Sequence, residues 1–517
     1  MCTSIGAHLV ANSGDIGLAA ALTFRGAQVE TLLCDRVLPA CMACEVSWWP
    51  NHAEFADEGP QSNLCKACYG PAASRWQELD LPVNRYSETL TDDDRQKAKT
   101  LAQSCAVEDI DTYVYESINV GDQARAGAIR FFASRDLPDD PVTEKTRRRF
   151  LEAAIITTMV AYRLFREKKY DVIVAHHGIY VPQGILTEVA NMLGIRVVTW
   201  NLSYRAPCLV LSHGDTYHRT LPRDDTSLWR DINWTDAVRR EIEDYLRGRI
   251  SGEKDWITYY KHAMVNVADL EKEIGIDLSK PTVSLFTNVI WDAQIFCTDS
   301  AFPSMLDWVK STIDWFANRP DLQLVIRIHP AEKQHQVKPQ QTVAAELASA
   351  YEKLPANVWV VPAESIVSSY ILAESSNAAL VFASKMSLEL PTMGVPTIVA
   401  GDAWVRGKGL TWDAETEASY FKILNRLPLP QRMPEEMVEN AKKYAFHFFF
   451  RRSIPVNFLE AKLGGWPPFV FKMNDLSLFY PGCHYGMNVI CDGILDEKPF
   501  VYEAERVIMA EASEMAQ

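Results

Sequence analysis

The chain has 517 residues, 48% of them hydrophobic and 23% charged, proportions that exclude collagen-like repeats, coiled coil and wholesale disorder. At roughly 150 residues per domain, the length suits two or three domains. The 52 basic and 67 acidic side chains leave a net charge of −15, which repels polyanions. Nucleic acid is therefore not expected as a main partner, despite a local basic patch at Lys145, Arg147, Arg148 and Arg149.

From the N-terminus, residues 1–24 lack the basic start of a signal peptide, and Asp15 interrupts their apolar stretch. The most apolar helical run, residues 153–164, is too short to span a bilayer and contains Arg163. The expectation is a cytoplasmic protein without an integral membrane span, peripheral contact with the inner membrane being left open. Residues 14–22 read as helix, 27–34 as extended, 148–168 as helix, 171–175 as strand, 184–193 as helix and 196–200 as strand. Residues 228–274 are helical, charged and rich in Trp and Tyr, which suits a bridge between two lobes.

The second half alternates more cleanly. Strands are predicted at 282–286, 322–328, 358–361, 378–382 and 397–400, separated by helices at 305–316, 342–351, 366–374 and 386–393. Short β-branched runs between helices require right-handed crossovers and a parallel, doubly wound sheet. A helix is predicted at 434–448 and another at 504–515. The fold class is α/β: two Rossmann-like lobes joined by a helical bridge, with a cleft between them, plus a small Cys-rich metal-binding insertion. The boundaries are 1–223 for an N-terminal Rossmann-like lobe that includes the Cys-rich module 34–68, 224–275 for the bridge, 276–430 for a C-terminal Rossmann-like lobe, and 431–517 for C-terminal helices and tail.

Cys41-x2-Cys44 and Cys65-x2-Cys68, twenty residues apart, have nearly the spacing of a zinc ribbon, and Cys34 precedes them by seven residues. Four thiolates satisfy tetrahedral zinc. The intervening stretch has little apolar periodicity, so a structural metal would supply its folding free energy. Iron-sulfur ligation is the competing reading, with Cys34 as a fifth thiol. The other cysteines, Cys297 among them, read as core residues.

Four segments carry candidate chemistry at predicted strand ends. Arg327-Ile328-His329-Pro330 ends a strand and presents His329 on the ligand side of the sheet, where it could bind phosphate or move a proton, or simply pack in a turn. Ser384 and Ser387 open a helix whose free amides favour an anion, with Glu389 placed to accept ribose or sugar hydroxyls; the plainer reading is capping. A glycine-rich loop, residues 401–411, holds Arg406 and Lys408, which could neutralise phosphate. His176 and His177 follow the strand at 171–175, either as a base for an acceptor hydroxyl and a donor contact, or as one packed and one exposed ring.

Thr287-Asn288-Val289-Ile290-Trp291-Asp292, then Ile328-His329-Pro330, then Ser384-x-x-Ser387-Leu388-Glu389, Gly394-Val395-Pro396 and the 401–411 loop together resemble the capsule polysaccharide synthesis glycosyltransferases, a group that includes bacterial Kdo transferases. The resemblance covers residues 280–415 and implies a GT-B fold and a nucleotide-sugar donor, often CMP-linked. It implies that His329, Ser384 and Ser387 hold the donor phosphate and that Glu389 lies near the ribose, with Asn288 and Asp292 as further polar candidates. The expected function is transfer of a sugar from a nucleotide-sugar co-substrate to a saccharide or other hydroxyl acceptor. The alternatives are a nucleotide-sugar epimerase or hydrolase, which would need no acceptor, and a non-catalytic interaction protein organised by the cysteine module.

Overall fold

In a computed structural model that describes residues 1–49, 51–251, 266–293, 296, 298–334, 337–430, 432–462, 467–472 and 475–515, the first helix, α1 (Leu9–Thr23), is buried all round from Val10 to Leu22. It starts before residue 14 because the His8 side chain caps it, accepting the Ala11 amide at 3.2 Å. Two of its buried polar side chains accept from indoles: Trp200 Nε1 donates to Asp15 at 2.7 Å and Trp76 Nε1 to Asn12 at 3.2 Å. Gly14 is required here, since a Cβ would lie 1.9 Å from the Trp200 ring.

The chain divides into two units, Met1–Thr220 with Arg452–Tyr502, and Leu221–Arg451 with Glu503–Gln517. The described residues of 224–275 fall in the second unit, and 452–502 in the first. Residues 252–265, and Pro50 and Cys297, lie outside the described residues. Among the described residues no helix is long and apolar enough to cross a membrane.

In the first unit, β1 (Thr31–Leu33) pairs parallel with β2 (Val83–Arg85) as a separate ribbon. The long helix α2 (Pro141–Lys168) begins earlier than the predicted residue 148, because Asp140 caps Thr143 N at 2.8 Å and Pro141 takes the first turn. The main sheet has four strands: β3 (Val172–His176), β4 (Arg196–Leu202), β5 (Cys208–His213) and a short strand, Ile454–Pro455. Only β3 and β4 run parallel; β5 and the short strand each join antiparallel. This sheet is mixed, so the parallel, doubly wound first lobe is corrected. The link from Leu202 to Cys208 is too short for a crossover helix, so the chain turns back instead. Helix α3 (Gln183–Met192) follows β3.

The 34–68 segment is not a separate knuckle. Trp49, Phe55 and Leu64 are buried in the core of the first unit, and Phe55 stacks on Phe131 with centroids 4.3 Å apart. Its packing comes from side chains far along the chain, which local periodicity does not reveal.

The second unit holds helix α4 (Asp236–Ser251) and a six-stranded, wholly parallel sheet. Its strands are β6 (Thr282–Phe286), β7 (Gln323–Arg327), β8 (Val358–Val361), β9 (Ala378–Val381), β10 (Thr397–Val399) and β11 (Trp412–Asp413), in spatial order β8-β7-β6-β9-β10-β11. Every residue of β6, β7 and β9 is buried, as continuous apolar runs require when helices cover both faces. Ser304 caps α5 (Met305–Ala317) at Asp307 N. The order reverses between β6 and β9, and that topological switch point is where an open α/β sheet leaves a crevice at its carboxyl edge.

Candidate functional site

The segment leaving β6 organises the switch point. Thr287 Oγ1 accepts the His329 amide at 3.0 Å, which fixes the loop after β7. The next residue, Asn288, donates from Nδ2 to the Ala383 carbonyl at 2.6 Å, which fixes the loop after β9. Asn288 is 7% exposed, and its Oδ1 is buried without a hydrogen bond. Two adjacent side chains therefore hold His329 and Ser384 at the ends of the two strands that flank β6.

His329 is half-buried, and its Nδ1 accepts the Ala331 amide at 3.1 Å. In the neutral ring that bond leaves the proton on Nε2, a donor suited to an anionic oxygen. Glu332, three residues on, was not singled out from the sequence. It accepts the Val343 amide at 3.1 Å, and burial raises its carboxyl to about 7. Nothing local marks it, because the burial comes from tertiary packing.

Ser384 is half-buried and its Oγ accepts the Met386 amide at 3.3 Å. The helix it opens is only Met386–Glu389, continued by a 3-10 turn, Leu390–Met393. The Ser387 amide bonds Ser384 O at 3.0 Å and the Leu388 amide bonds Lys385 O at 2.8 Å. The amides of 386–388 are thus used within the turn, which corrects the expectation of a free anion-binding helix start. Ser387 is wholly buried, and its Oγ has no hydrogen-bond partner.

Two charged candidates sit elsewhere than expected. Glu389 is 3% exposed and forms a buried ion pair with Arg249 of α4, at 2.7 Å to Nε and 2.6 Å to Nη2. Its other oxygen accepts the Tyr370 hydroxyl at 2.8 Å. Both oxygens are engaged by buried protein groups, so the carboxylate is an ion-pair partner of Arg249 and not the open ribose contact expected. Lys408 is 5% exposed, and its ammonium donates to Pro222 O at 2.7 Å and Asp224 O at 2.8 Å. It fastens the 401–411 loop to the 222–224 segment instead of neutralising phosphate, and burial lowers its pKa. Arg406 donates from Nη2 to Ala414 O at 3.1 Å, with Nη1 buried. Gly401 is needed because a Cβ would lie 2.8 Å from the Phe382 carbonyl carbon and oxygen. Asp292 is exposed.

In the first unit the end of β3 gathers four imidazoles. His176 is buried, with Nε2 3.2 Å from Asn201 Oδ1. His177 has a left-handed backbone, φ 66°, and stacks on His218, centroids 5.5 Å apart. His8 lies 5.0 Å from His176. Gly178 continues the turn at φ 72°, where a Cβ would also meet Thr199 at 2.6 Å. His8 and His218 were not found from the sequence; they come from distant segments that only the fold brings together. Burial lowers the His8 ring to about 4, with the Arg130 charge adding to it. Burial, then the neighbouring rings, hold His176 and His177 well below the usual histidine range. At neutral pH these rings are uncharged and poor proton acceptors, so they suit hydrogen bonding to a ligand better than strong base catalysis.

Around the cysteines, Cys41 and Cys44 have sulfurs 3.9 Å apart. Among the described residues no three His, Cys, Asp or Glu side chains are disposed to hold a single metal ion, so the arrangement lends no support to the tetrahedral zinc expected of Cys41, Cys44, Cys65 and Cys68.

Residues 239–444 match the family described as "Capsule polysaccharide biosynthesis protein". Among solved structures, the chain is similar to KpsC of Thermosulfurimonas dismutans as a beta Kdo 2,4 transferase, at 14% identity over 54% of this chain and 80% of that one, with a TM-score of 0.37. The beta Kdo 2,7 transferase of the same organism is 12% identical over 62% and 88%, with a TM-score of 0.32. UDP-GlcNAc 2-epimerase of Methanocaldococcus jannaschii, in complex with UDP-GlcNAc and UDP, is 11% identical over 56% and 79%, with a TM-score of 0.28. Similarity at these scores carries no argument about substrate. No curated protein matches the chain by sequence.

Proposed function

From the match of residues 239–444 to the capsule polysaccharide biosynthesis family, we propose that the chain is a glycosyltransferase of that kind and that the β6–β9 switch point of the second unit binds the phosphate of a nucleotide-sugar donor. The observation that carries this reading is the pair Thr287 and Asn288, which holds His329 on one side and the Ala383–Ser384 backbone on the other. His329 would donate from Nε2, and Ser384 from its hydroxyl, to phosphate oxygens. An acceptor hydroxyl then bonds the anomeric carbon while the carbon–oxygen bond to phosphate breaks, its electron pair leaving on the phosphate and the hydroxyl proton passing to the departing phosphate or to water. Donors already aimed at that oxygen lower the barrier, because they need no reorganisation as charge develops.

The histidine-rich edge of the first unit is proposed to bind the saccharide acceptor, with His177 contacting its hydroxyls. A CMP-linked donor is the first to try, on the strength of the family resemblance. Sugar transfer by His329→Ala and by the unaltered chain, compared over a panel of CMP-, UDP- and GDP-sugars, tests the assignment. Loss of transfer with unchanged circular dichroism is expected, and unchanged turnover would remove His329 from the site. Isomerised or hydrolysed donor in the absence of acceptor would favour the epimerase or hydrolase reading.

A further inference from the structure

The cysteines that the transfer reaction does not use form one arrangement in the first unit. Cys34 follows β1, Cys41 lies in the next loop, Cys65 is in the 3-10 turn Leu64–Ala67, and Cys68 heads the helix Tyr69–Glu78. These four thiols wall a single pocket, sealed on its apolar sides by Ile5, Leu38 and Leu64. Cys44 is not among them: it is 1% exposed and packed in the core with Trp49 and Phe55.

A backbone amide is directed at one of the sulfurs: Ala7 N donates to Cys68 Sγ at 3.3 Å. Gly6 makes this close approach possible, since a Cβ there would lie 2.3 Å from Cys68 O. Neutral thiols are weak acceptors, whereas an amide donor of this kind supports a thiolate bound to iron. Arg36, also on the pocket wall, brings positive charge to the same place.

A tetrathiolate zinc with bonds of about 2.3 Å needs four sulfurs on edges of about 3.8 Å. Cys41 and Cys44 alone come that close, at 3.9 Å, and among the described residues no three candidate ligands are disposed to hold one ion, yet four cysteines line one pocket. A cubane cluster takes its thiolates at separate corners and needs no such convergence on a single ion.

We propose that Cys34, Cys41, Cys65 and Cys68 bind a [4Fe–4S] cluster, and that Cys44 is not a ligand. This is independent of the glycosyltransferase reading. The test is iron and acid-labile sulfide analysis of the full chain purified without oxygen and reconstituted with ferrous iron and sulfide, with visible absorption and electron paramagnetic resonance after dithionite reduction. About four irons and four sulfides per chain are expected. Cys34→Ser and Cys65→Ser should lose most of the iron, while Cys44→Ser keeps it. One zinc per chain without iron, no metal after reconstitution, or iron lost from Cys44→Ser but kept in Cys34→Ser would each overturn the proposal. The metal content of the unaltered chain decides the matter even if a serine variant fails to fold.

Discussion

Asn288 Nδ2 and the Ala383 carbonyl, 2.6 Å apart, tie the end of one central strand to the end of the other across the point where the sheet order reverses. The bond joins residues 95 apart in sequence. Through it the position of Ser384 depends on a side chain that need not touch substrate itself.

Replacing Asn288 by Ala removes that donor and leaves the half-buried Ala383 carbonyl short of a partner, at a cost of about 1 kcal/mol. Asn288→Asp should be worse, since a carboxylate would face the carbonyl. Urea denaturation ranks the two, and the donor KM should rise in both. An aspartate variant as stable as the unaltered chain would contradict this account of the bond.

Glu389 and Arg249 are both almost fully buried, so Glu389→Ala leaves an uncompensated guanidinium and should cost about 3–5 kcal/mol. The double variant Arg249→Met/Glu389→Leu should recover much of the loss. If instead kcat/KM collapses while the denaturation midpoint stays put, Glu389 is acting on substrate.

Lys408→Met frees two carbonyls, Pro222 O and Asp224 O, from their ammonium partner. A loss of about 1–3 kcal/mol is expected, with little change in donor affinity once the protein is folded. Isothermal titration with the donor separates this from a phosphate-binding lysine, whose removal would weaken binding directly.

The His8 ring is held at about 4, against 6.5 when exposed. Between those values the unfolded chain binds the extra proton, so the contribution of His8 to stability is present at neutral pH and is lost as pH falls from about 6.5 to 4. His8→Asn retains a capping side chain without the titration. The stability of the unaltered chain relative to this variant should therefore decline over that window and level off below it, as read by denaturation at successive pH values. A flat difference would show that the ring is not held neutral.

Much of the second unit was legible in the sequence. Its strands are short, continuous apolar runs between helices, and the helix predicted at 305–316 is observed as α5, Met305–Ala317. The strand ends that carry His329 and Ser384 follow from that regularity. The unreadable parts depend on distant partners. Glu389 and Lys408 look like solvent-facing charges until Arg249 and the 222–224 carbonyls are placed against them. The apolar run Cys208–His213 gives no sign that it pairs antiparallel on both sides, and the His8, His176, His177 and His218 group draws on three separate segments.

The strand Ile454–Pro455 closes the open side of β5, and in the same unit Phe458 fills the space left by Gly17. During translation from the N-terminus, the rim of β5 stays bare until the ribosome has passed through the whole of 221–451. The first unit cannot finish before the second has been synthesised, and a chain truncated after Thr220 would carry an unpaired rim open to association with other nascent chains.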